Sequence, residues 1–188
     1  MPQKALIAMS GGVDSSVAAY LMQKNGYDCM GVTMKLFDNG DIGISKGHTC
    51  CSLDDVEDAR SVARRLGIPY YVFNFSDRFN AEVIDKFISA YENGETPNPC
   101  IDCNRFLKFD KLYRRARELD ICCVATGHYA SVEYDEKSGR WLLKRAADRE
   151  KDQSYVLYAL TQEQLAHTVF PLGKMTKTEV RHVAEQNG

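Results

Sequence analysis

The sequence contains no long hydrophobic run and carries almost no net charge, and each of these absences excludes a class of protein. No stretch of the 188 residues approaches the length of a membrane-spanning helix, so we expect no membrane partner. The formal charge of −2 gives the whole molecule no general attraction to nucleic acid, so any RNA contact depends on local patches. The apolar run within residues 1–9 is too short for a signal peptide and has no cleavage pattern.

The cysteines favour a reducing compartment. They are odd in number and no secretion signal accompanies them, which is typical of cytosolic proteins, whose cysteines are mostly buried, catalytic or metal-binding. We therefore predict a cytoplasmic location. Cys122 and Cys123 lie in an apolar run and are predicted to be packing residues.

The pair Cys100 and Cys103 has a spacing that fits three kinds of site. It could be a redox pair, half of a metal site, or one catalytic thiol with a neighbour. A zinc site would need a second pair, which only Cys50 and Cys51 could supply, and adjacent cysteines chelate one ion awkwardly. The spacing alone leaves the three alternatives open.

Short apolar runs alternate with amphipathic segments along the chain, a pattern that predicts a doubly wound parallel sheet covered by helices. The predicted strands are 4–9, 29–36, 68–75 and 122–126. The predicted helices are 13–23, 52–66 (starting at Ser52), 79–91, 105–119 and a last helix that begins at a capping box, Thr176 to Glu179, and stops at Asn187.

Three connecting segments have signals of their own. Residues 131–134 and 141–144 alternate around a Ser-Gly pair and predict a β-hairpin. Residues 38–49 are rich in glycine and aspartate and predict a long loop. The segment 96–99 is predicted to be non-helical, because each proline restricts the residue before it as well as itself.

The strongest functional signal is the run Ser10-Gly11-Gly12-Val13-Asp14-Ser15-Ser16 between the first strand and the first helix. Two glycines allow the backbone N–H groups to approach an anion, the serines add hydroxyl donors, and the helix N-terminus favours negative charge. Asp14 would repel phosphate unless a cation lies between them, so we expect Mg²⁺ there. The run lacks the Gly-Lys-Ser/Thr of a Walker A loop, and a loop of serines and glycines is suited to holding pyrophosphate as a leaving group.

This run resembles the pyrophosphatase loop (PP-loop) of the N-type ATP pyrophosphatases, which cleave ATP to AMP and pyrophosphate and adenylate a substrate oxygen. Three further segments, 96–104 with Lys108 and Phe109, 125–129 and 151–155, resemble one family in particular, the bacterial tRNA-specific 2-thiouridylases or MnmA family. The likeness extends over residues 4–188 with the motifs in order. It implies an α/β fold of the adenine-nucleotide hydrolase-like type, with a small hairpin and a C-terminal helical tail.

The resemblance also implies roles for individual residues. ATP is expected on Ala8, Met9, Ser10, Gly11, Gly12, Val13, Asp14 and Ser15, with Met34 and Gly127 lining the adenosine. The target base is expected beside Asn98, Pro99 and Cys100, and tRNA at His128, Lys151, Asp152 and Gln153. Cys103 takes the place of the first catalytic cysteine, and we include Asp14 with it as catalytic.

From this resemblance we expect ATP-dependent 2-thiolation of the wobble uridine of tRNA, with ATP and Mg²⁺ as cofactors. The sulfur is expected from a persulfide donor such as a cysteine desulfurase or a relay protein. Residues 1–160 would form the PP-loop ATP-binding catalytic domain, and 161–188 the truncated start of a helical tRNA-binding region. The family's second catalytic cysteine lies beyond the last helix, so we expect this chain alone to bind nucleotide without thiolating tRNA.

Several alternatives stay open. Some related thiolases bind a [4Fe–4S] cluster through three cysteines, of which Cys100 and Cys103 would supply two. The chain could also be a nucleotide- or RNA-binding fragment without catalysis, or another adenylating synthetase of the PP-loop class. The helix 105–117 carries a stripe of basic side chains that fits either RNA phosphates or an ordinary exposed face.

The environment of Cys103 predicts a reactive thiol. A helix start at Asn104, with Arg105 and Lys108 nearby, would stabilise the thiolate and lower the pKa of Cys103. Cys100 would lie further from that helix and gain less from it. We therefore expect Cys103 to be the essential thiol and Cys100 to be secondary.

Overall fold

A computed structural model describes residues 2–37 and 53–188 of the chain. The predicted loop over 38–49, the helix cap at Ser52 and the Cys50–Cys51 pair lie outside the described residues.

Parallel strands form the central sheet, which has the order β3-β2-β1-β4-β7 in the described part of the chain. The strands are β1 (Lys4–Ala8), β2 (Asp28–Lys35), β3 (Tyr70–Asn74), β4 (Cys123–Thr126), β5 (Ala130–Asp135), β6 (Arg140–Arg145) and β7 (Thr168–Val169). β5 and β6 form a separate antiparallel hairpin, as the sequence predicts. The chain moves from β1 through β2 to β3 and then returns to place β4 on the other side of β1, so the strand order reverses at β1.

Helices cover both faces of this sheet. They are α1 (Val13–Lys24), α2 (Leu53–Leu66), α3 (Ser76–Phe79), α4 (Asp85–Glu92), α5 (Pro99–Asp102), α6 (Leu112–Glu118), α7 (Gln162–Ala166) and α8 (Lys177–Gln186). π-helical segments at Asn80–Ile84 and Cys103–Lys111 join α3 to α4 and α5 to α6, and a 3₁₀ turn spans Ser154–Val156. The chain is therefore continuously helical over 76–92 and again over 99–118.

The side chains of β1 alternate between two hydrophobic cores. Leu6 packs on one face with residues of the 99–118 helix, among them Leu107 and Leu112. Ala5 and Ile7 pack on the opposite face against α1 and α2. A strand with both faces covered is the arrangement of a doubly wound α/β sheet, so the predicted fold class is confirmed.

The helix that carries the Cys100–Cys103 pair starts earlier than the sequence predicts. It begins at Pro99, with Asn98 as its cap, so the expectation that Pro99 is non-helical and that a helix starts at Asn104 is wrong. Proline is tolerated in the first turn of a helix, because the N–H group it lacks would have no helical partner there. Cys100 is consequently the second residue of the helix, and Cys103 lies one turn inside it.

The neighbouring cysteines Cys122 and Cys123 have different environments. Cys123 is buried in β4, and burial raises the pKa of its thiol to about 12, as expected for an inert packing residue. Cys122 precedes the strand and is exposed, and its thiol donates to the Lys4 carbonyl at 2.8 Å. The prediction that both are packing residues is therefore wrong for Cys122.

The C-terminal part of the chain packs onto the sheet and onto α1. β7 pairs with β4, and Val180 of α8 is buried with Val17 and Ala18 of α1. The predicted capping box of α8 is confirmed, since Thr176 and Glu179 exchange hydrogen bonds. The division at residue 160 stays a prediction. Within the described ranges, no helix has both the length and the apolar character needed to cross a membrane.

Candidate nucleotide-binding site

The glycine-serine loop lies at the carboxyl end of β1, where the strand order reverses. Ligands of open α/β sheets bind in the crevice at this point, because the connections on either side of it diverge. Gly12 caps α1 with an extended backbone and no side-chain hydrogen bond, which leaves first-turn N–H groups available to an anion. Ser15 holds the loop in shape: its Oγ accepts from the Ser10 N–H at 3.1 Å and donates to the Gly12 carbonyl at 2.9 Å.

Two positions at this loop require glycine. Gly11 has φ +78°, and a Cβ there would lie 2.5 Å from the Asp55 carbonyl oxygen. Gly127, directly after β4, approaches the start of α1 so closely that a Cβ would lie 2.8 Å from both the Asp14 carbonyl carbon and the Ser15 nitrogen. The end of β4 therefore sets the position of the loop.

We expect Gly127→Ala to lower the affinity for ATP by about tenfold, since an added methyl group in filled space costs about 1–3 kcal/mol and displaces Asp14 and Ser15. Calorimetric titration with ATP measures the affinity, and a thermal melt shows whether the fold is retained. Unchanged affinity in a folded Gly127→Ala protein would show that the loop tolerates the shift.

A cavity of about 240 Å³ opens at this edge of the sheet. Most of the residues predicted to bind ATP line it, namely Ala8, Met9, Ser10, Asp14, Ser15, Met34 and Gly127. Gly11 and Val13 instead line a different cavity, of about 310 Å³, between α1, α2 and α8, and Gly12 serves as the cap of α1. Seven of the ten residues predicted to bind ATP are thus grouped at one place.

Cys103 and Lys108 line the same 240 Å³ cavity. Both belong to the π-helical segment Cys103–Lys111, whose hydrogen bonds join residues five apart, so residues i and i+5 lie near each other along the helix. The predicted catalytic thiol is thereby placed beside the predicted nucleotide site, with a cationic side chain next to it.

The residues predicted beside the target base lie one turn before Cys103, outside the lining of this cavity. Asn98 accepts a hydrogen bond from the Cys100 N–H at 3.0 Å and so caps the helix that Pro99 begins. Cys100 is exposed, whereas Cys103 is half-buried.

Two of the four residues predicted to contact tRNA line the cavity, and the other two do not. His128 and Gln153 line the cavity. Asp152 accepts from the Ala146 N–H and from the Ser154 hydroxyl, both at 2.7 Å, so its carboxylate stabilises the local chain. Lys151 is exposed at the surface nearby.

His128 is buried between aromatic rings. The Phe109 and Phe170 ring centroids lie 6.0 and 6.1 Å from that of His128. Burial, and to a smaller extent the Lys108 cation, hold the pKa of His128 well below its ordinary value of 6.5. The imidazole is therefore neutral at physiological pH.

Sequence reasoning missed two groups that hold Asp14. Lys177 Nζ donates to Asp14 Oδ1 at 2.6 Å, and the Tyr129 hydroxyl donates to the same oxygen at 2.9 Å. Both side chains of the ion pair are partly shielded from solvent, Asp14 with 34% and Lys177 with 25% of its side chain exposed. Lys177 is the first residue of α8, and its own N–H donates to Asp148 at 2.9 Å. No local signal links Lys177 to a loop so distant in the sequence.

The donor set at Asp14 is compatible with Mg²⁺. Mg²⁺ is commonly bound through one or two carboxylates together with substrate phosphates. Asp14 Oδ1 is occupied by its two donors, while Oδ2 accepts no hydrogen bond from the described residues. No group of three or more His, Cys, Asp or Glu side chains in the described ranges could hold a metal, so the described donors do not fit an iron–sulfur cluster at Cys100 and Cys103.

Much of the basic stripe on the 99–118 helix is paired with acids. Arg114 binds Asp110 at 2.7 Å, and Arg115 binds Glu118 at 2.6 Å. Arg117 reaches Glu163, just inside α7, at 3.1 Å. These pairs favour an ordinary exposed helix face for 114–117, whereas Lys108 faces the cavity.

The sequence matches the model of the tRNA methyl transferase HUP domain over residues 3–188. It is 55% identical over 188 residues to the tRNA-specific 2-thiouridylase MnmA of Clostridioides difficile (strain 630), covering 100% of this chain and 52% of the relative. It is 57% identical over 184 residues to the MnmA protein of Moorella thermoacetica, covering 97% of this chain and 51% of the relative. The chain thus spans about half the length of the curated relatives it matches.

Solved structures share the fold at low sequence identity. One is a 4-thiouridine synthetase in complex with RNA and bound ATP, which aligns with a TM-score of 0.65 and 19% identity over 99% of this chain and 41% of that chain. Another is a predicted tRNA methyltransferase subunit from Methanocaldococcus jannaschii, with a TM-score of 0.57 and 18% identity over 97% of this chain and 74% of that chain.

Proposed function

Since the chain belongs to the tRNA methyl transferase HUP domain family, we propose that it performs the ATP-dependent part of 2-thiolation of the wobble uridine in tRNA. The curated relatives at 55% and 57% identity are named tRNA-specific 2-thiouridylases. The observation that carries the proposal is the cavity itself, which is lined by the phosphate loop and by Cys103 together. Activation by ATP and attack by sulfur can therefore occur at one place.

The proposed reaction has two steps. The C2 oxygen of uridine attacks the α-phosphate of ATP, the bond to the β-phosphate breaks, and pyrophosphate leaves. A hydrosulfide can then attack C2 directly, and AMP departs with the former C2 oxygen. With a persulfide, its terminal sulfur attacks C2, AMP departs, and the resulting C2–S–S bond is broken when a second thiol attacks the inner sulfur, which releases the 2-thiouridine and leaves a disulfide. Adenylation is needed because a carbonyl oxygen is a very poor leaving group and AMP is a good one.

Residues of the chain are proposed to act on each part of the substrate. The N–H groups at the start of α1, with Ser10 and Ser15, bind pyrophosphate as it forms. Met34 and Gly127 contact the adenosine. The Lys177 ammonium, held by Asp14, adds positive charge beside the loop.

The tRNA-facing groups are proposed at the mouth of the cavity. Asn98, Pro99 and Cys100 lie beside the target base, and His128 and Gln153 contact the tRNA within the cavity. Lys151 and Asp152 continue this surface. Residues 161–188 are proposed as the start of a tRNA-binding region.

Asp14 would hold Mg²⁺, and the bound ion would supply positive charge to the phosphates of ATP. Sulfur transfer is proposed to run through Cys103, with a persulfide donor protein supplying the sulfur. An iron–sulfur cluster at Cys100 and Cys103 would need a further ligand outside the described residues.

The bond that is broken in ATP tests the proposal. We expect the protein, given ATP and tRNA with an unmodified wobble uridine, to release pyrophosphate and to attach AMP to the tRNA. A tRNA with cytidine at the wobble position is the matched control and should give only background release. Transfer of label from α-labelled ATP to the tRNA measures adenylation, thin-layer chromatography separates the free nucleotides, and ADP as the product would contradict an adenylating mechanism.

A further inference from the structure

Thr126 and His128 form a buried hydrogen-bonded pair inside the candidate site. Thr126 Oγ1 lies 2.7 Å from His128 Nδ1. Thr126 is 2% exposed and His128 9% exposed, and both line the cavity with Cys103 and Lys108. Thr126 is the last residue of β4 and has no part in the proposed reaction as described so far.

The direction of this hydrogen bond follows from the single proton of the threonine hydroxyl. Oγ1 already accepts a long contact, 3.5 Å, from the His128 backbone N–H. In the described part of the chain, Nδ1 is the acceptor available to the hydroxyl proton. If Nδ1 were the donor instead, that proton would be buried without an acceptor, which is unfavourable. This arrangement favours Nδ1 as the acceptor from Thr126 and a neutral ring with its proton on Nε2.

The surroundings keep the ring uncharged. Phe109 and Phe170 pack against it from two other parts of the chain. The titratable groups that line the cavity with it are Asp14, Cys103 and Lys108. Burial and then Lys108 lower the pKa of His128, so protonation does not compete with the Thr126 hydrogen bond near neutral pH.

We propose that Thr126 is a positioning residue that fixes His128 as the neutral tautomer with its proton on Nε2, so that the imidazole donates one hydrogen bond to an oxygen of the substrate. This assignment of the acceptor rests on the proposed function, in which the oxygen belongs either to an ATP phosphate or to the uridine. His128 in this form does not exchange protons during the reaction, in contrast with the usual acid–base use of histidine.

The tautomer can be measured directly in the protein without substrate. With ¹⁵N-labelled histidine, two-bond ¹H–¹⁵N correlation spectra distinguish a protonated Nε2 from a protonated Nδ1, and His128→Gln identifies the signal. We expect the protonated-Nε2 pattern for His128, unchanged from pH 6 to pH 8. A protonated Nδ1, or titration of the ring with a pKa near 6.5, would overturn the proposal.

Variants of Thr126 test the positioning role. Thr126→Val keeps the shape but removes the hydroxyl, and we expect a mixture of tautomers and about a tenfold loss of affinity for the ligand that contacts His128. Thr126→Ser should restore both the spectrum and the affinity. Thr168→Val is the matched control for the tautomer and for the ATP titration, since Thr168 is also a buried threonine on the adjoining strand, with its hydroxyl donating to the Gln164 carbonyl at 2.7 Å.

Separate titrations identify the acceptor. A loss of affinity for ATP alone assigns the hydrogen bond to the nucleotide, and a loss confined to an anticodon stem-loop RNA assigns it to the uridine. If Thr126→Val binds both ligands with unchanged affinity, the proposal that Thr126 positions His128 for a hydrogen bond to the substrate is wrong. If Thr126→Val does not fold, the spectrum of the wild-type protein still shows which nitrogen of His128 carries the proton. Titration of His128→Gln with ATP and with RNA then shows whether the His128 side chain contributes to the affinity for either ligand. Wild-type protein that lacks adenylation but shows the expected tautomer would contradict the proposed function and leave the Thr126 assignment intact.

Discussion

Replacement of Cys103 by serine is expected to reduce 2-thiouridine formation by on the order of 10³-fold or more, since loss of a nucleophile is among the costliest substitutions in an enzyme. Affinity for ATP should be unchanged, because the phosphate loop and the adenosine contacts are not altered. Mass spectrometry measures 2-thiouridine among the nucleosides of the treated tRNA. The Cys103→Ser protein is compared with wild-type protein under conditions in which the wild-type protein forms 2-thiouridine. Calorimetry with ATP measures binding in the same proteins.

Two other cysteines provide controls for this substitution. Cys100→Ser should leave measurable activity, because Cys100 is exposed and outside the cavity lining. Cys122→Ser removes another exposed thiol, which directly precedes β4, and should have no effect. Full activity of Cys103→Ser would show that Cys103 takes no part in sulfur transfer. Loss of activity in both Cys100→Ser and Cys103→Ser, with iron–sulfur absorbance in anaerobic protein, would favour the cluster.

The physical reason for preferring Cys103 differs from the one that the sequence suggests. The helix begins at Pro99 and not at Asn104, so the helix N-terminus that the sequence places beside Cys103 lies one turn before it. Cys103 is preferred because it lines the cavity together with Lys108 and the phosphate loop. A lowered pKa of Cys103 stays a prediction.

Asp14→Asn is expected to weaken ATP binding roughly 10- to 100-fold, the range of a lost charge-assisted hydrogen bond. The carboxylate is the partner of Lys177 and is the proposed ligand of Mg²⁺. Calorimetry with and without Mg²⁺ distinguishes the contribution of the Lys177 ion pair from the contribution of Mg²⁺ binding. A loss that disappears without Mg²⁺ points to the metal, whereas a loss that persists points to Lys177.

Lys177→Gln completes this experiment. If Asp14 acts by orienting the ammonium, Lys177→Gln should weaken ATP binding by a similar factor, and the double substitution should be no worse than either single one. Asp110→Asn is the matched control, because Asp110 forms an ion pair with Arg114 at 2.7 Å and does not line the cavity. Unchanged ATP affinity in Asp14→Asn would contradict the assignment of the phosphate loop.

The parts of the site that the sequence predicts are those encoded locally. The glycines and serines of the loop lie between a buried strand and a helix, and strand and helix signals of this kind depend on neighbouring residues. β7 was missed because two residues, Thr168–Val169, are too short to give a periodic signal. Lys177 was missed because its contact with Asp14 is made through the fold.

The 99–118 helix illustrates a second reason for failure. Apolar positions at 106, 109, 112, 113 and 116 predict one α-helical face, but Leu107 is fully buried and Phe106 only partly. The π-helical segment Cys103–Lys111 changes the spacing at which side chains share a face. α-Helical periodicity therefore predicts the helix and most of its buried face, since positions 109, 112, 113 and 116 are buried, but it misses Leu107 and the presence of Cys103 and Lys108 in one cavity.

The ion pair between Lys177 and Asp14 has a consequence for how the protein is made. Its two partners are 163 positions apart, so it closes a loop that contains nearly the whole chain. Contacts of such separation form late, because the intervening segments order first. During synthesis, β1 and α1 emerge from the ribosome long before α8 does, and Asp14 acquires its ammonium partner only when α8 docks on α1. A nascent chain therefore presents the glycine-serine loop with the Asp14 carboxylate unneutralised until α8 supplies the Lys177 ammonium.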